Sequence, residues 1–255
     1  MRTSHKLATL FLGSAAVLPL LGAGTAFASD GNVSASLKPN ALSGVNGSGT
    51  ASVKVTGTTI SVTMAATGLL AGSPHAAHIH FGADARHQCP LASDDKDGNG
   101  HLNTSEGAAA YGPIVVSLTK TGDTSPASGL AIDRFDTAAG GKISYQRGSI
   151  KVSQTVADAI SAGKAVVVIH GVDYNKDGKY SGATKSDLAP TLPTEATDPA
   201  LCGALSAMPS GGVATGAGGA SSGSSNEGMI ALGGGLMLLA AGSGVYSVRR
   251  ARAQG

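Results

Sequence analysis

Thr50-Ala51-Ser52-Val53-Lys54-Val55-Thr56-Gly57-Thr58-Thr59-Ile60-Ser61-Val62-Thr63-Met64 alternates apolar and polar residues on both sides of a short glycine-containing break. Side chains along a strand point to opposite faces in turn, so each half lays its apolar residues on one face. The stretch reads as a β-hairpin turning across Thr56-Gly57-Thr58. A domain opening in this way, with few aromatics and much Gly, Ser, Thr and Val, is expected to be all-β.

Working outward, Ala76 to Phe81 reads as a third strand, with further strands at Ile114 to Thr119, Leu130 to Phe135, Lys142 to Val152 and Ala165 to His170. One short helix is expected at Thr155 to Ala162, where Val156, Ala159 and Ile160 share a face and Gly163 stops it. Several short strands with a single helix suggest a Greek-key β-sandwich or barrel.

The third strand belongs to Pro74-His75-Ala76-Ala77-His78-Ile79-His80-Phe81-Gly82, which holds three of the seven histidines. His78 and His80 share a strand face because the side-chain period is two. Two imidazoles on one face begin a transition-metal site. His170 ends the nearly continuous apolar run Ala165-Val166-Val167-Val168-Ile169, so it is expected to emerge from the core onto a rim or loop. His87, two residues before Cys89, reads as a surface residue.

Asp95-Lys96-Asp97-Gly98-Asn99-Gly100-His101-Leu102-Asn103-Thr104-Ser105-Glu106 fits a twelve-residue EF-hand calcium loop. Asp95, Asp97 and Asn99 take positions one, three and five, with Gly100 at the turn and Glu106 at position twelve. His101 would add its carbonyl and Asn103 a direct or water-mediated contact. Calcium needs six to eight hard oxygens, which this pattern offers. The preceding Cys89-Pro90-Leu91-Ala92-Ser93 looks irregular rather than helical. A weaker copy, Asp173-Tyr174-Asn175-Lys176-Asp177-Gly178-Lys179-Tyr180-Ser181, offers Asp173, Asn175, Asp177 and the Lys179 carbonyl, but Thr184 stands where the closing glutamate belongs.

The ends carry addresses. Residues 1–28 read as a secretory signal, with Arg2 and Lys6, an apolar run from Leu7 to Leu21, and Ala26-Phe27-Ala28 as the cleavage site. Residues 209–228, mostly Gly, Ser and Ala, read as a tether that cannot fold alone. Residues 229–248 are free of charge and precede the basic tail 249–255, which suits a membrane span with a cytoplasmic tail. Val213-Ala214-Thr215-Gly216 before that span resembles a degenerate sortase sorting signal, which would place the domain on a cell wall instead. The folded part is then one domain over residues 29–208.

Five of the 18 basic residues (Arg2, Lys6, Arg249, Arg250, Arg252) lie in the end segments, leaving 13 against 16 acidic residues, so the exported part is near −3. No basic patch argues for nucleic acid, and that class is excluded. Cys89 and Cys202 lie in the exported domain, where an oxidising compartment makes one disulfide the default. No nucleophile elbow and no His-Glu-x-x-His motif is present.

His75-x-x-His78-x-His80, a following glycine, Cys89, the strand 163–170 ending on His170, and Leu201-Cys202-Gly203 together resemble copper-zinc superoxide dismutase in kind and order. More closely, residues 33–205 are similar to secreted bacterial CHRD-domain proteins, which are expected to share that fold. The resemblance implies His78, His80 and His170 as copper ligands, His75 as a residue orienting one of them, and a Cys89–Cys202 disulfide. Three neutral imidazoles suit copper or zinc better than calcium or magnesium. The histidine that bridges copper to zinc in the dismutases has no counterpart, since Asp94-Asp95 stands there, and the other zinc ligands are missing too. Their superoxide-guiding arginine is replaced by Thr197-Asp198-Pro199-Ala200-Leu201. The sequence therefore points to an exported, surface-anchored metal-binding module with a binding or structural role. The rivals are a copper-only superoxide dismutase-like enzyme and an adhesion or cell-wall module without metal chemistry.

Overall fold

The structure is a computed structural model and describes residues 30–208. The signal segment, the expected tether, the expected membrane span and the basic tail lie outside the described residues. Among the described residues no helix is long and apolar enough to cross a membrane.

The elements in chain order are β1 (Gly31–Pro39), β2 (Ser48–Thr56), β3 (Thr59–Thr67), β4 (Pro74–His75), β5 (Ala77–His80), α1 (Thr104–Tyr111), β6 (Ile114–Ser117), β7 (Asp136–Thr137), β8 (Ile143–Lys151), α2 (Gln154–Ser161), β9 (Val166–His170), β10 (Pro199–Ala204) and β11 (Ser206–Ala207). The main sheet is antiparallel and runs β6-β5-β9-β10-β1-β2-β3-β8, with β11 beside β1, while β4 and β7 form a separate pair. The hairpin closes as its alternation requires: Val53 faces Val62, Val55 faces Ile60, and Thr56 faces Thr59 across the Gly57-Thr58 turn.

The sheet curls through β1, which pairs β2 along most of its length and β10 at its end. The inward residues of both halves meet in one core, including Leu37, Val53, Val62, Met64, Ile79, Tyr145, Val167, Ile169 and Leu201. Burying each large aliphatic side chain contributes roughly 1.5–3 kcal/mol. The barrel is open between β6 and β8, and side chains clasp the gap. Tyr145 Oη donates to the Thr119 carbonyl at 3.3 Å and Arg147 Nη1 donates to the same oxygen at 2.7 Å.

α2 matches the expected helix to within a residue, with Ser153 Oγ accepting from Val156 N at 3.3 Å as its cap. α1 was not expected. A capping box starts it: Asn103 Oδ1 accepts from Glu106 N, and Glu106 Oε2 accepts from Asn103 N. The strand expected at Leu130–Phe135 does not form; Ile132–Arg134 is a 3₁₀ turn. Local side-chain hydrogen bonds win there over a ladder. Asp123 accepts from Ser125 Oγ and Ser128 Oγ, both at 2.6 Å, and Arg134 Nη2 reaches Ser128 Oγ at 2.7 Å.

β9 is buried on both faces. Val167 and Ile169 point into the main core, while Val166 and Val168 join Tyr111 of α1 and the Cys89–Cys202 disulfide in a second cluster on the outer face. The cysteine Cα atoms are 5.7 Å apart and 113 residues apart in sequence, a spacing disulfides favour. His78 and His80 of β5 lie on this outer face, beside Val168 and Val166. The candidate site therefore lies between the sheet and the loops that cover it.

Candidate metal centre

Period-two alternation puts Ala77 and Ile79 in the main core and turns His78 and His80 the other way. His170 closes β9, opposite Pro199. It does not emerge onto a rim as the sequence suggests. The Thr194–Ala196 turn and the residues after it cover it, and it is as buried as His78 and His80.

The three rings converge. Their centroids are 5.6 Å (His78 to His80), 5.0 Å (His78 to His170) and 5.9 Å (His80 to His170) apart. One nitrogen from each lies within 4.8 Å of the others. The remaining ring nitrogens each meet a main-chain carbonyl: His78 Nε2 on Gly129 at 3.0 Å, His80 Nδ1 on Gly112 at 2.8 Å, and His170 Nδ1 on Thr197 at 2.6 Å. A carbonyl can only accept, so these nitrogens carry the proton. The lone pairs are then on His78 Nδ1, His80 Nε2 and His170 Nε2, and none of these buried atoms has a partner.

Burial drives the rings toward the neutral form. It pushes His80 down to about 3 and His170 to about 4, and holds His78 well below the ordinary histidine value; repulsion from neighbouring histidines adds to the effect at His78 and His80. Three neutral imidazoles with fixed tautomers and neighbouring unpartnered nitrogens form a donor set for a borderline or soft ion such as copper or zinc. Unpartnered buried nitrogens otherwise carry a desolvation cost, so the residues present fit a metal.

His75 is not a fourth member. Its Nδ1 donates to the main-chain oxygen of His170 at 2.7 Å, and Nε2 lies 3.2 Å from the Leu70 carbonyl. The backbone there leaves no room: Gly171 has φ +106°, and a Cβ on it would sit 2.0 Å from Tyr180 Oη and 2.8 Å from His75 Nδ1. His87 donates from Nε2 to the Gly82 carbonyl at 2.9 Å and stacks on Phe81, away from the cluster.

The loop Asp95 to Glu106 adopts the wrapped form its motif describes. Asp95 accepts from Gly98 N (2.8 Å) and Gly100 N (2.9 Å), Asp97 from Asn99 N (3.0 Å), and Asn99 from His101 N (2.8 Å). Glu106 Oε1 closes the ring on Lys96 N at 2.8 Å and Asp97 N at 3.4 Å. Carboxylate oxygens of Asp95, Asp97 and Glu106 lie within 4.8 Å of one another. Asp94, just before the loop, is occupied by Leu91 N and Arg86.

The second loop repeats most of this pattern, although Asp173 Oδ1 accepts from Asp177 N at 3.2 Å where Asp95 Oδ1 accepts from Gly98 N. Asp173 accepts from Gly178 N at 3.0 Å, Asn175 from Asp177 N at 2.9 Å, and Asp177 from Lys179 N at 3.2 Å. The closing carboxylate, missing at Thr184, comes from Glu195. Its Oε1 takes Tyr174 N at 2.9 Å and Asn175 N at 3.4 Å, the two positions that Glu106 takes in the first loop, and Oε2 takes Ser181 N at 2.7 Å. Nothing in the local sequence marks Glu195, which stands 22 positions after Asp173. The loops touch through His101 and Tyr174, ring centroids 3.8 Å apart.

A curled antiparallel sheet with three convergent histidines on its outer face defines a β-domain that could hold a metal ion. The chain belongs to the CHRD domain family, whose model matches residues 27–182. The Glu195 turn and β10 with Cys202 lie beyond the matched residues. No curated protein matches the chain. Two solved structures of mutant forms of Candida albicans superoxide dismutase 5 are similar, at 17% and 16% identity, each with a TM-score of 0.36; they cover 73% of this chain and 98% and 96% of their own.

Proposed function

We propose that this CHRD-domain protein is an exported metal-binding module whose principal site is a copper or zinc centre at His78, His80 and His170. One observation carries the reading: each buried imidazole spends one nitrogen on a main-chain carbonyl and leaves the other unpartnered, and one nitrogen of each ring lies within 4.8 Å of the others. His75 positions His170 through its main-chain oxygen. A bound copper would supply one-electron redox chemistry and zinc a Lewis acid. The wall of the cavity beside the cluster contains no lysine or arginine. Without a cationic side chain to steer an anion inward, this favours binding over superoxide dismutation.

The two acidic loops support a second, calcium-binding role. Its ligands are Asp95, Asp97, Asn99, Glu106 and the His101 carbonyl in one loop, with Asn103 contributing directly or through water. The other uses Asp173, Asn175, Asp177, Glu195 and the Lys179 carbonyl. The matched closing contacts of Glu106 and Glu195 favour this reading. The end segments, read as a secretory signal and a C-terminal membrane or cell-wall anchor, support a cell-surface location for the module.

The test is metal analysis and thermal melting of the purified protein with Cu(II) or Zn(II). A ligand at about a hundredfold its Kd stabilises the native state by about 2.7 kcal/mol, which raises Tm by several degrees. His78→Ala should abolish the shift. A wild-type protein that binds neither ion, or a His78→Ala variant that shifts equally, would overturn the reading.

A further inference from the structure

The turn from Thr194 to Asp198 serves two sites at once. Its main chain stitches down the end of β9: the Thr197 carbonyl accepts from His170 Nδ1 at 2.6 Å, the Asp198 carbonyl from Gly171 N at 2.9 Å, and the Glu195 carbonyl from Val172 N at 2.7 Å. The Glu195 side chain serves the second acidic loop instead. Oε1 takes Tyr174 N and Asn175 N, and Oε2 takes Ser181 N, so one carboxylate gathers both ends of that loop. Glu195 is 3% exposed, and neither ion pair among the described residues includes it. A carboxylate buried without a cation depends on its hydrogen bonds, here three main-chain N–H groups. The turn is also tied within itself. Thr197 N and Asp198 N both donate to the Thr194 carbonyl at 2.9 Å, and Thr194 Oγ1 donates to Asp198 Oδ1 at 2.8 Å. A shift at Glu195 is therefore passed to Thr197.

We propose that Glu195 is a positioning residue for the histidine centre, and that this turn couples the second acidic loop to it, so that order in the loop raises metal affinity at His170. The inference rests on the metal reading of the three histidines, but it requires no ion in the loop. His170 presents Nε2 as a donor only while its proton stays on Nδ1, and the Thr197 carbonyl holds the proton there. Glutamine at position 195 keeps the size of the side chain. It has one acceptor oxygen, however, and an NH₂ group that would face a main-chain N–H. The loop ends then lose their common anchor, and the carbonyl that fixes the His170 tautomer loses its brace. Coupling between two sites is reciprocal, so a metal on His170 must also quiet the loop.

The experiment uses the full chain without added calcium and titrates zinc against a competing chelator. Glu195→Gln should bind zinc at least about tenfold more weakly than wild type, as loss of an orienting partner predicts. Long-range 1H–15N NMR of the metal-free protein should place the His170 proton on Nδ1 in wild type and share it between both nitrogens in the variant. Asp158→Asn removes an equal charge from an exposed position on α2 and should change neither reading. Wild type supplies the reciprocal measurement, which needs no variant: zinc loading should slow amide hydrogen exchange at Tyr174 and Ser181, two of the groups that Glu195 holds. Equal zinc affinity in Glu195→Gln, an equal loss in Asp158→Asn, or zinc loading that leaves those two amides unchanged overturns the coupling and leaves the metal reading standing. Wild-type protein that takes up no zinc overturns the metal reading and this inference with it.

Discussion

His170 and Thr104 share one acceptor: the main-chain oxygen of Thr197 takes His170 Nδ1–H at 2.6 Å and Thr104 Oγ1–H at 3.0 Å. Thr104 is the first residue of α1, and Glu106, which caps that helix, also closes the first acidic loop. The last turn of the same helix ends at Gly112, whose carbonyl holds His80. One short helix thus joins an acidic loop to two of the three histidines.

Thr104→Val removes that hydroxyl without changing the side chain's shape. Stability should fall by about 1 kcal/mol in urea unfolding, the usual net worth of a hydrogen bond. Zinc affinity should fall with it, because the carbonyl that fixes the His170 tautomer loses a restraint. Thr104→Ser should restore both. Unchanged affinity in the valine variant would show that the helix does not position His170.

Calcium titration should give two ions per chain. Glu106→Gln and Glu195→Gln should each remove one, since each loses its closing carboxylate, while the other loop keeps its ion. Calorimetric stoichiometry decides this. A Glu195→Gln variant that still binds two ions would show that Glu195 only ties down backbone amides.

The sequence announced one of these loops well and the other badly, for a physical reason. Glu106 lies within the local spacing of its loop, whereas Glu195 arrives through the tertiary fold, on a turn placed by the start of β10. The same divide runs through the histidines. Strand periodicity brought His78 and His80 together on one face, but only the β5–β9 pairing shows that His170 joins them. The hairpin was legible because alternation and turn chemistry agree. Leu130 to Phe135 was misread because its main-chain amides close local turns, Ala131 N on the Ser128 carbonyl and Arg134 N on the Ala131 carbonyl, while the Arg134 side chain reaches Ser128 Oγ, and periodicity does not see these bonds. α1 was hidden inside the loop motif that overlaps its first turn.

Metal-free protein should lose stability as the pH falls below about 6.5. His75, His78, His80 and His170 have native values lowered by burial, so on acidification the unfolded chain takes up protons that the native state refuses. The loss should continue toward pH 4 to 3, where His170 and His80 titrate in the fold. Asp198 opposes this: burial raises it to about 7 despite hydrogen bonds from Thr194 and Tyr174. Its contribution is full below the unfolded carboxylate value and is lost as the pH rises through 7. Four histidines outweigh one carboxyl, so the net change on acidification is a loss, and Asp198→Asn should steepen it. Urea midpoints measured from pH 7.5 to 4 test the sign. A midpoint that rises through pH 6 would contradict buried neutral imidazoles.

Reducing the Cys89–Cys202 bond, or substituting Cys202→Ala, releases a closed loop of more than a hundred residues. The chain-entropy model assigns such a loop about 4–5 kcal/mol. The thiols sit among Tyr111, Val166 and Val168 against the outer face of β9, so the histidine cluster should loosen with the loss. Zinc release on reduction, followed with a chromogenic chelator, is the measurement. Retention of both zinc and Tm after complete reduction would show that packing alone holds the covering loops.

All three histidine partners are main-chain oxygens, those of Gly112, Gly129 and Thr197. A site oriented by carboxylates can be lost by a single codon change in any of them. Here no side-chain replacement can delete an orienting acceptor, so inherited damage must come through the path of the backbone. Gly112 is the weak point, since it has φ +85° and a Cβ there would lie 2.5 Å from Gly82 N. Natural variation around this centre should therefore be permissive in chemistry and strict in shape, tolerating exchange at Thr197 while rejecting every larger residue at Gly112.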